Sequence, residues 1–327
     1  MNLKMMALII VVGCFIIGAL VYIEWPYRSG QRLQISTTTS LYDTGMLDTI
    51  ADYYKQNYRV SLFFISAGTG QAIEHAKRGD ADLVLVHSPS MENTFMQVDG
   101  VGVVRKIIAY NFFVIVGPED DPAGIHNLSP TEALSTIVTS GRSRQSEWVS
   151  RGDDSGTHSK EKKLWTKAGF SSDDLREESW YVESGTGMGA TLNMANQMRA
   201  YTLADIGTYL KYRSDNLIDL EILVAQSKDL LNVYSVMAIN PEIYPELNFN
   251  NAVDFIKFLV SDEGQNIIGN YGVGDYGQPL FYPAVSLSLE NTDPITDWIR
   301  EYAYLSYEGQ SWECPPPYRA GQDNLYL

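Results

Sequence analysis

Residues 33–54 read LQISTTTSLYDTGMLDTIADYY. Residues 33–37 form a short strand-like run, and Leu47, Ile50, Ala51 and Tyr54 follow at i, i+3, i+4, i+7, which places one apolar stripe on a helix. Thr37, Thr38, Thr39 and Ser40 lie between them as a hydroxyl-rich turn. A strand, a polar turn and a helix that covers the sheet make up the repeating unit of an α/β protein.

The alternation continues in both directions. Further strands are predicted at 60–65, 83–86, 112–116, 148–150, 221–224 and 233–239, and Ala252, Phe255, Ile256 and Leu259 repeat the helical stripe. Ser129, Pro130, Thr131 and Glu132 combine a capping hydroxyl, proline at the first helical position and an acid three residues after the cap. A helix is predicted from there to about Ser140, ended by Gly141. The segment from about 286 reads as an appendage: Ile295, Trp298, Ile299 and Tyr302 predict one docking helix ahead of Pro315, Pro316 and Pro317, and no function is expected there.

With 327 residues, 45% of them hydrophobic, the chain is long enough for two globular domains. Its 24 Lys and Arg against 40 Asp and Glu give a net charge of -16, a field that repels a phosphodiester backbone, so no nucleic-acid partner is expected. Cys14 and Cys314 stand at opposite ends of the chain, and His75, His87, His126 and His158 show no ligand spacing, so neither a disulfide framework nor a metal site is predicted.

Residues 5–23 carry no charge and lie between Lys4 and the group Glu24, Trp25, Tyr27 and Arg28. The stretch is about long enough to span a bilayer and lacks an A-x-A-like cleavage site, so it reads as an uncleaved membrane anchor with the globular part outside. Val11, Val12, Gly13 and Cys14 resemble a lipoprotein box, though apolar residues continue past the cysteine.

Four donor-rich turns recur at strand-to-helix junctions: 37–40 (TTTS), 66–70 (SAGTG), 151–158 (RGDDSGTH) and 184–189 (SGTGMG). The first turn of a helix leaves N–H groups unpaired at the positive end of the dipole, hydroxyls add donors, and glycine lets the backbone come close. Each turn is also an ordinary cap; several converging on one cleft would trap an anion. Arg151 could add a permanent charge and two parallel hydrogen bonds, or it could pair with Asp153 or Asp154. A hydrolase built on Ser155 and His158 is the alternative from another class, but G-x-S-x-G is missing and the two side chains would be neighbours on one helix. A phosphate loop is absent as well. The turns are mostly free of acids, which suits a proton-free dianion such as sulfate, molybdate or tungstate better than phosphate, whose proton needs an acceptor.

Residues 33–283 resemble the substrate-binding component of tungstate ABC transporters, the Tup type within the periplasmic binding protein fold. The matching words are TTTS at 37–40, GTGQA at 68–72, ADLVLVHSPS at 81–90, FVIVGP at 113–118 with DDPAGI at 120–125, SRGDDSGTH at 150–158 and GMGATL at 187–192. The resemblance implies a type II fold of two α/β lobes joined by two crossing strands: 33–111 with 233–285, and 112–232, plus an anchor or signal segment at 1–30 and an extension at 286–327. It also implies that Thr38, Thr39, Ser40, Gly68 and Thr69 line the first lobe and Arg151, Ser155, Gly156 and Thr157 the second, with Gly187 a further wall residue. It implies a non-enzymatic, extracytoplasmic protein without a cofactor that takes tungstate, or molybdate, and hands it to a permease with its ATPase. Sulfate and phosphate binders are the near alternatives. The departures are the anchor, Phe112 after Asn111 where the family has an acid, and the tail beyond Pro283.

Overall fold

A computed structural model describes residues 31–153, 155–285 and 294–326. The expected anchor lies outside these residues; among the described residues no helix is long and apolar enough to cross a membrane.

The strands are β1 (Gln31–Thr38), β2 (Val60–Ala67), β3 (Leu83–Val86), β4 (Gly102–Gly117), β5 (Trp148–Ser150), β6 (Tyr181–Glu183), β7 (Thr202–Asp205), β8 (Glu221–Val224), β9 (Leu231–Ile239) and β10 (Tyr282–Pro283). β1 pairs in parallel with β2 and β3, while β3 and β4 flank β9 antiparallel. β4 is buried along its whole length and changes partners midway. Through Phe112, opposite Leu231, it pairs with β9; from Phe113, opposite Asp205, it pairs with β7 and then β8. β4 therefore carries the chain from one α/β half into the other, and β9 starts beside that transition and runs back into the first sheet.

Each half has its own core. Leu33, Ile35, Leu47, Ile50, Tyr54, Phe255 and Ile256 pack in the first, so both predicted helical stripes face the sheet they follow. Phe113, Ile115, Trp148, Trp165 and Tyr201 pack in the second.

The strand expected at 112–116 begins ten residues earlier, at Gly102. Arg105, Lys106 and Asn111 interrupt the apolar run, but the fold supplies each with a partner. Arg105 forms a fully buried ion pair with Glu92 at 2.7 Å, Lys106 meets Glu313 at 2.7 Å, and Asn111 accepts a bond from Asn232. β6 and β7 are not among the predicted strands. The tail forms the predicted helix, Pro294–Ala303, followed by an unpredicted hairpin of β11 (Leu305–Tyr307) and β12 (Gln310–Trp312).

The Ser129 capping box is present, with Ser129 and Glu132 each bonding the other's backbone N–H. Gly141, however, does not end that helix, which runs from Pro130 to Arg142. Its role is packing: a Cβ there would lie 2.3 Å from the Trp180 ring. Gly→Ala inside a helix ordinarily stabilises by up to about 1 kcal/mol. Here overpacking should reverse the sign, and Gly141→Ala should lower the unfolding free energy by about 1–3 kcal/mol in urea denaturation. A stabilised variant would refute the packing role.

Candidate anion-binding site

The four turns meet at one cleft. Thr39, Gly68, Gly70, Arg151, Ser155 and Gly187 line a space of about 970 Å³ between the halves. Thr39, Arg151 and Gly187 also border an adjoining space of about 360 Å³ that includes Ser40, Asp43 and Lys211. Helices Thr39–Tyr42, Thr69–Lys77, Gly156–Lys167 and Met188–Met198 all begin there. Neither Gly68 nor Gly187 contributes a side-chain cap to its helix, so the first N–H groups stay open toward the cleft. A Cβ on either glycine would meet nothing within 4 Å, so these positions keep space clear rather than relieve backbone strain.

Thr69 and Thr157 sit buried, and Gly156 half-buried, next to the lining residues. Among the described residues, the buried side-chain atoms without a hydrogen-bond partner include Thr69 Oγ1, Arg151 Nε and Thr157 Oγ1. One comes from the first half and two from the second. Leaving such a group unpaired costs about 1–3 kcal/mol, so the three donors make a site that is incomplete as it stands.

Two expected lining residues also have roles within the protein itself. Thr38 is buried, and its hydroxyl caps its own helix by accepting from Leu41 N at 3.4 Å. Gly156 is forced by protein contacts across the gap: a Cβ there would lie 3.0 Å from His87 Cε1 and 3.2 Å from Thr69 Oγ1. The two halves touch at this point.

Arg151 makes the ion pair weighed as its alternative role, donating from Nη2 to Asp153 while Nε remains unpaired. The other oxygen of Asp153 accepts from Ser155 N at 3.2 Å. Ser155 Oγ caps the helix by accepting from His158 N at 3.2 Å, and His158 is buried rather than on the surface. Asp205, capping the helix Ile206–Ser214, is raised above the usual carboxylate range by burial, against which Thr208 and Arg151 pull it down.

Ser90, Met91, Asp43 and Lys211 line the cleft without having been predicted, and His87 and Asn232, also not predicted, stand beside it. Asn232 Nδ2 donates to Asn111 Oδ1 (3.0 Å) and Tyr234 Oη (2.8 Å), so its Oδ1 faces His87 Nδ1 at 2.7 Å and Nδ1 carries the hydrogen. The other ring nitrogen, Nε2, would stand 3.1 Å from a Cβ at Gly156, against the start of the opposing helix. Asn232 lies 145 residues from His87 in the chain, so no local pattern links them.

Two α/β halves joined by two adjacent antiparallel strands, with helix N-termini facing a shared cleft, define a solute-binding protein of the periplasmic type. The chain belongs to that family: the profile of the PBP superfamily domain matches residues 28–263. It is 45% identical over 287 residues to the putative ABC transporter anion-binding protein of Haloferax volcanii, covering 86% of this chain and 78% of that one. Identity to the tungstate-binding protein TupA of Peptoclostridium acidaminophilum is 39% over 249 residues, 76% of this chain and 84% of that one. Among solved structures, the tungstate-binding protein TupA from Desulfovibrio alaskensis G20 superposes with a TM-score of 0.69 at 36% identity, covering 78% of this chain and 99% of that one.

Burial holds the His87 imidazole below its usual pKa, and Arg151 acts in the same direction, while the Asn232 bond, Asp205 and Glu92 oppose. The unfolded chain takes up a proton near pH about 6.5 and the folded one only at lower pH. The stability that the neutral ring contributes is therefore whole above that pH and lost as pH falls below it. Denaturant titrations at several pH values should show the stability difference between the parent and His87→Gln shrinking on acidification; a constant difference would show that the ring titrates alike in both states.

Proposed function

We propose that this chain is the extracytoplasmic binding component of an ABC importer, and that it captures tungstate, with molybdate as the near-equivalent guest. The observation that carries the reading is the set of unpaired buried donors, Thr69 Oγ1, Arg151 Nε and Thr157 Oγ1, contributed by both halves at or directly beside the residues that line one cleft. A tetrahedral dianion offers acceptors in every direction and satisfies donors from both halves at once, so it favours the closed arrangement. Thr39, Ser40, Gly68, Ser155, Gly156 and Gly187 complete the proposed pocket, with Thr38 holding the first turn in shape.

Asp153 favours a guest without a proton. Its carboxylate is engaged by Arg151 and by Ser155 N, so it is already occupied where hydrogen phosphate would need an acceptor. The relatives' names supply the choice of tungstate, because tungstate and molybdate match in shape and charge. The hydrolase alternative loses ground because Ser155 Oγ serves as a helix cap; the proposed activity is binding, with no cofactor and no catalytic step. Handover to a permease and its ATPase follows from the importer role, and residues 5–23 would tether the chain to the membrane.

Calorimetric titration with tungstate, molybdate, sulfate and phosphate tests the assignment. Tungstate heat that excess sulfate does not suppress is expected; tight phosphate binding would replace the reading with another.

The unpaired hydroxyls generate a two-sided prediction. Thr69→Val and Thr157→Val each remove an unsatisfied donor, so the ligand-free protein should be as stable as the parent or more stable. Tungstate affinity should fall by about 1.5–3 kcal/mol, the range for a hydrogen bond to a charged partner. Arg151→Lys should weaken binding by a similar amount, since an ammonium cannot reproduce the planar donor edge. Unchanged dissociation constants would remove these residues from the site.

A further inference from the structure

We propose that residues 294–326 form a strap across the two connecting strands that holds the halves closed and limits how far the cleft opens. The segment lies beyond the family profile, which ends at 263, and sequence reasoning gave it no role. It grips both halves.

On the first half, the Glu313 carboxylate accepts from Lys106 Nζ and from Ile107 N, each at 2.7 Å, and its backbone oxygen accepts from Arg105 Nη1 at 2.7 Å. Tyr326 Oη donates to Arg105 O at 3.0 Å, and Gln97 Nε2 to Ser306 O at 3.0 Å. Leu305 and Cys314 are buried in the cluster that contains Ala72, Ile73 and Ala76 of the helix Thr69–Lys77. At the joint, Ile299 and Ala303 enter a cluster that runs from Ile107 and Tyr110 to Phe113, Ile115 and Trp165, and Tyr302 and Glu301 reach the second half. Glu301 pairs with Lys228, and Lys160 Nζ lies 4.5 Å from the centre of the Tyr302 ring.

These two grips reach the helices that begin at the anion cleft. Ala72, Ile73 and Ala76 belong to the helix that starts at Thr69, and Lys160 to the helix that starts at Gly156. Tyr302, in one grip, stands three residues before Leu305, in the other. Three residues span at most about 11 Å, so the crossing holds little slack. Opening the cleft must break one grip or bend the strap, and both add to the cost of the open state.

The test uses the full chain with fluorophores attached through encoded azide side chains at the exposed positions Asp52 and Asp173, one on each half, and reads their separation without ligand. Leu305→Ala with Glu313→Ala and Tyr326→Phe loosens the first grip; Ile299→Ala with Glu301→Gln and Tyr302→Ala loosens the second. Each variant should lengthen the ligand-free separation, and the combined variant should lengthen it no further, because a strap fails at either end. Saturating tungstate should restore the short separation in every variant, with the dissociation constant raised about three- to tenfold as closure becomes costlier. Unchanged ligand-free separations in correctly folded variants would overturn the proposal, and so would effects that add, which mark independent stabilising contacts. A parent protein insensitive to tungstate would count against the proposed ligand and would leave the comparison of ligand-free separations intact.

Discussion

β4 is the constraint on which the rest of the molecule depends. A strand buried from Gly102 to Gly117 must satisfy its backbone on both edges, and it does so with β9 and β10 over one part and β7 and β8 over the other. Because the exchange falls between Phe112 and Phe113, one continuous ladder belongs to two sheets, and the helices that follow each sheet start at the cleft between them. Asn111, Asn232 and His87 form a hydrogen-bonded row from β4 across β9 to the His87 ring, which faces the start of the helix Gly156–Lys167.

The site is defined more by what is missing than by what is formed. Most buried polar atoms in a folded protein find partners, so unpaired Thr69 and Thr157 hydroxyls and an unpaired Arg151 Nε within one region form an unfinished network. An oxyanion bound as proposed would finish it. The net charge of -16 opposes the approach of any anion, but screening confines that repulsion to about 10 Å in ordinary salt, inside which the fixed donors dominate. Asp153 stands at the edge of this network, orienting the outer side of the guanidinium and leaving Nε free.

The charged residues of β4 show how the extension became part of the fold. Arg105 has no exposure, and its ion pair with Glu92 would be hard to sustain in an apolar interior without further bonds; the backbone oxygen of Glu313 provides one. Glu92 in turn accepts from Ser88 N at 2.7 Å, at the start of the short helix whose Ser90 and Met91 line the cleft. The tail therefore supports the joint and, through Arg105 and Glu92, a wall of the binding space.

The sequence by itself determined whatever neighbouring residues can specify: the α/β alternation and seven of the strands at least in part, the amphipathic faces of Met46–Tyr58 and Phe249–Val260, the Ser129 capping box, and the four donor-rich turns with Arg151 among them. These features have periods and caps that operate within about one or two helical turns. Only the tertiary structure decided the first half of β4, the packing roles of Gly141 and Gly156, the place of His87, and the span of the tail across both halves. In each of these cases the deciding partner is distant in the chain: Glu313 for Lys106, Trp180 for Gly141, Asn232 for His87 and Lys160 for Tyr302. A charge or a glycine carries no local mark of the group that will meet it. The meaning of those residues is fixed when the two halves and the tail come together.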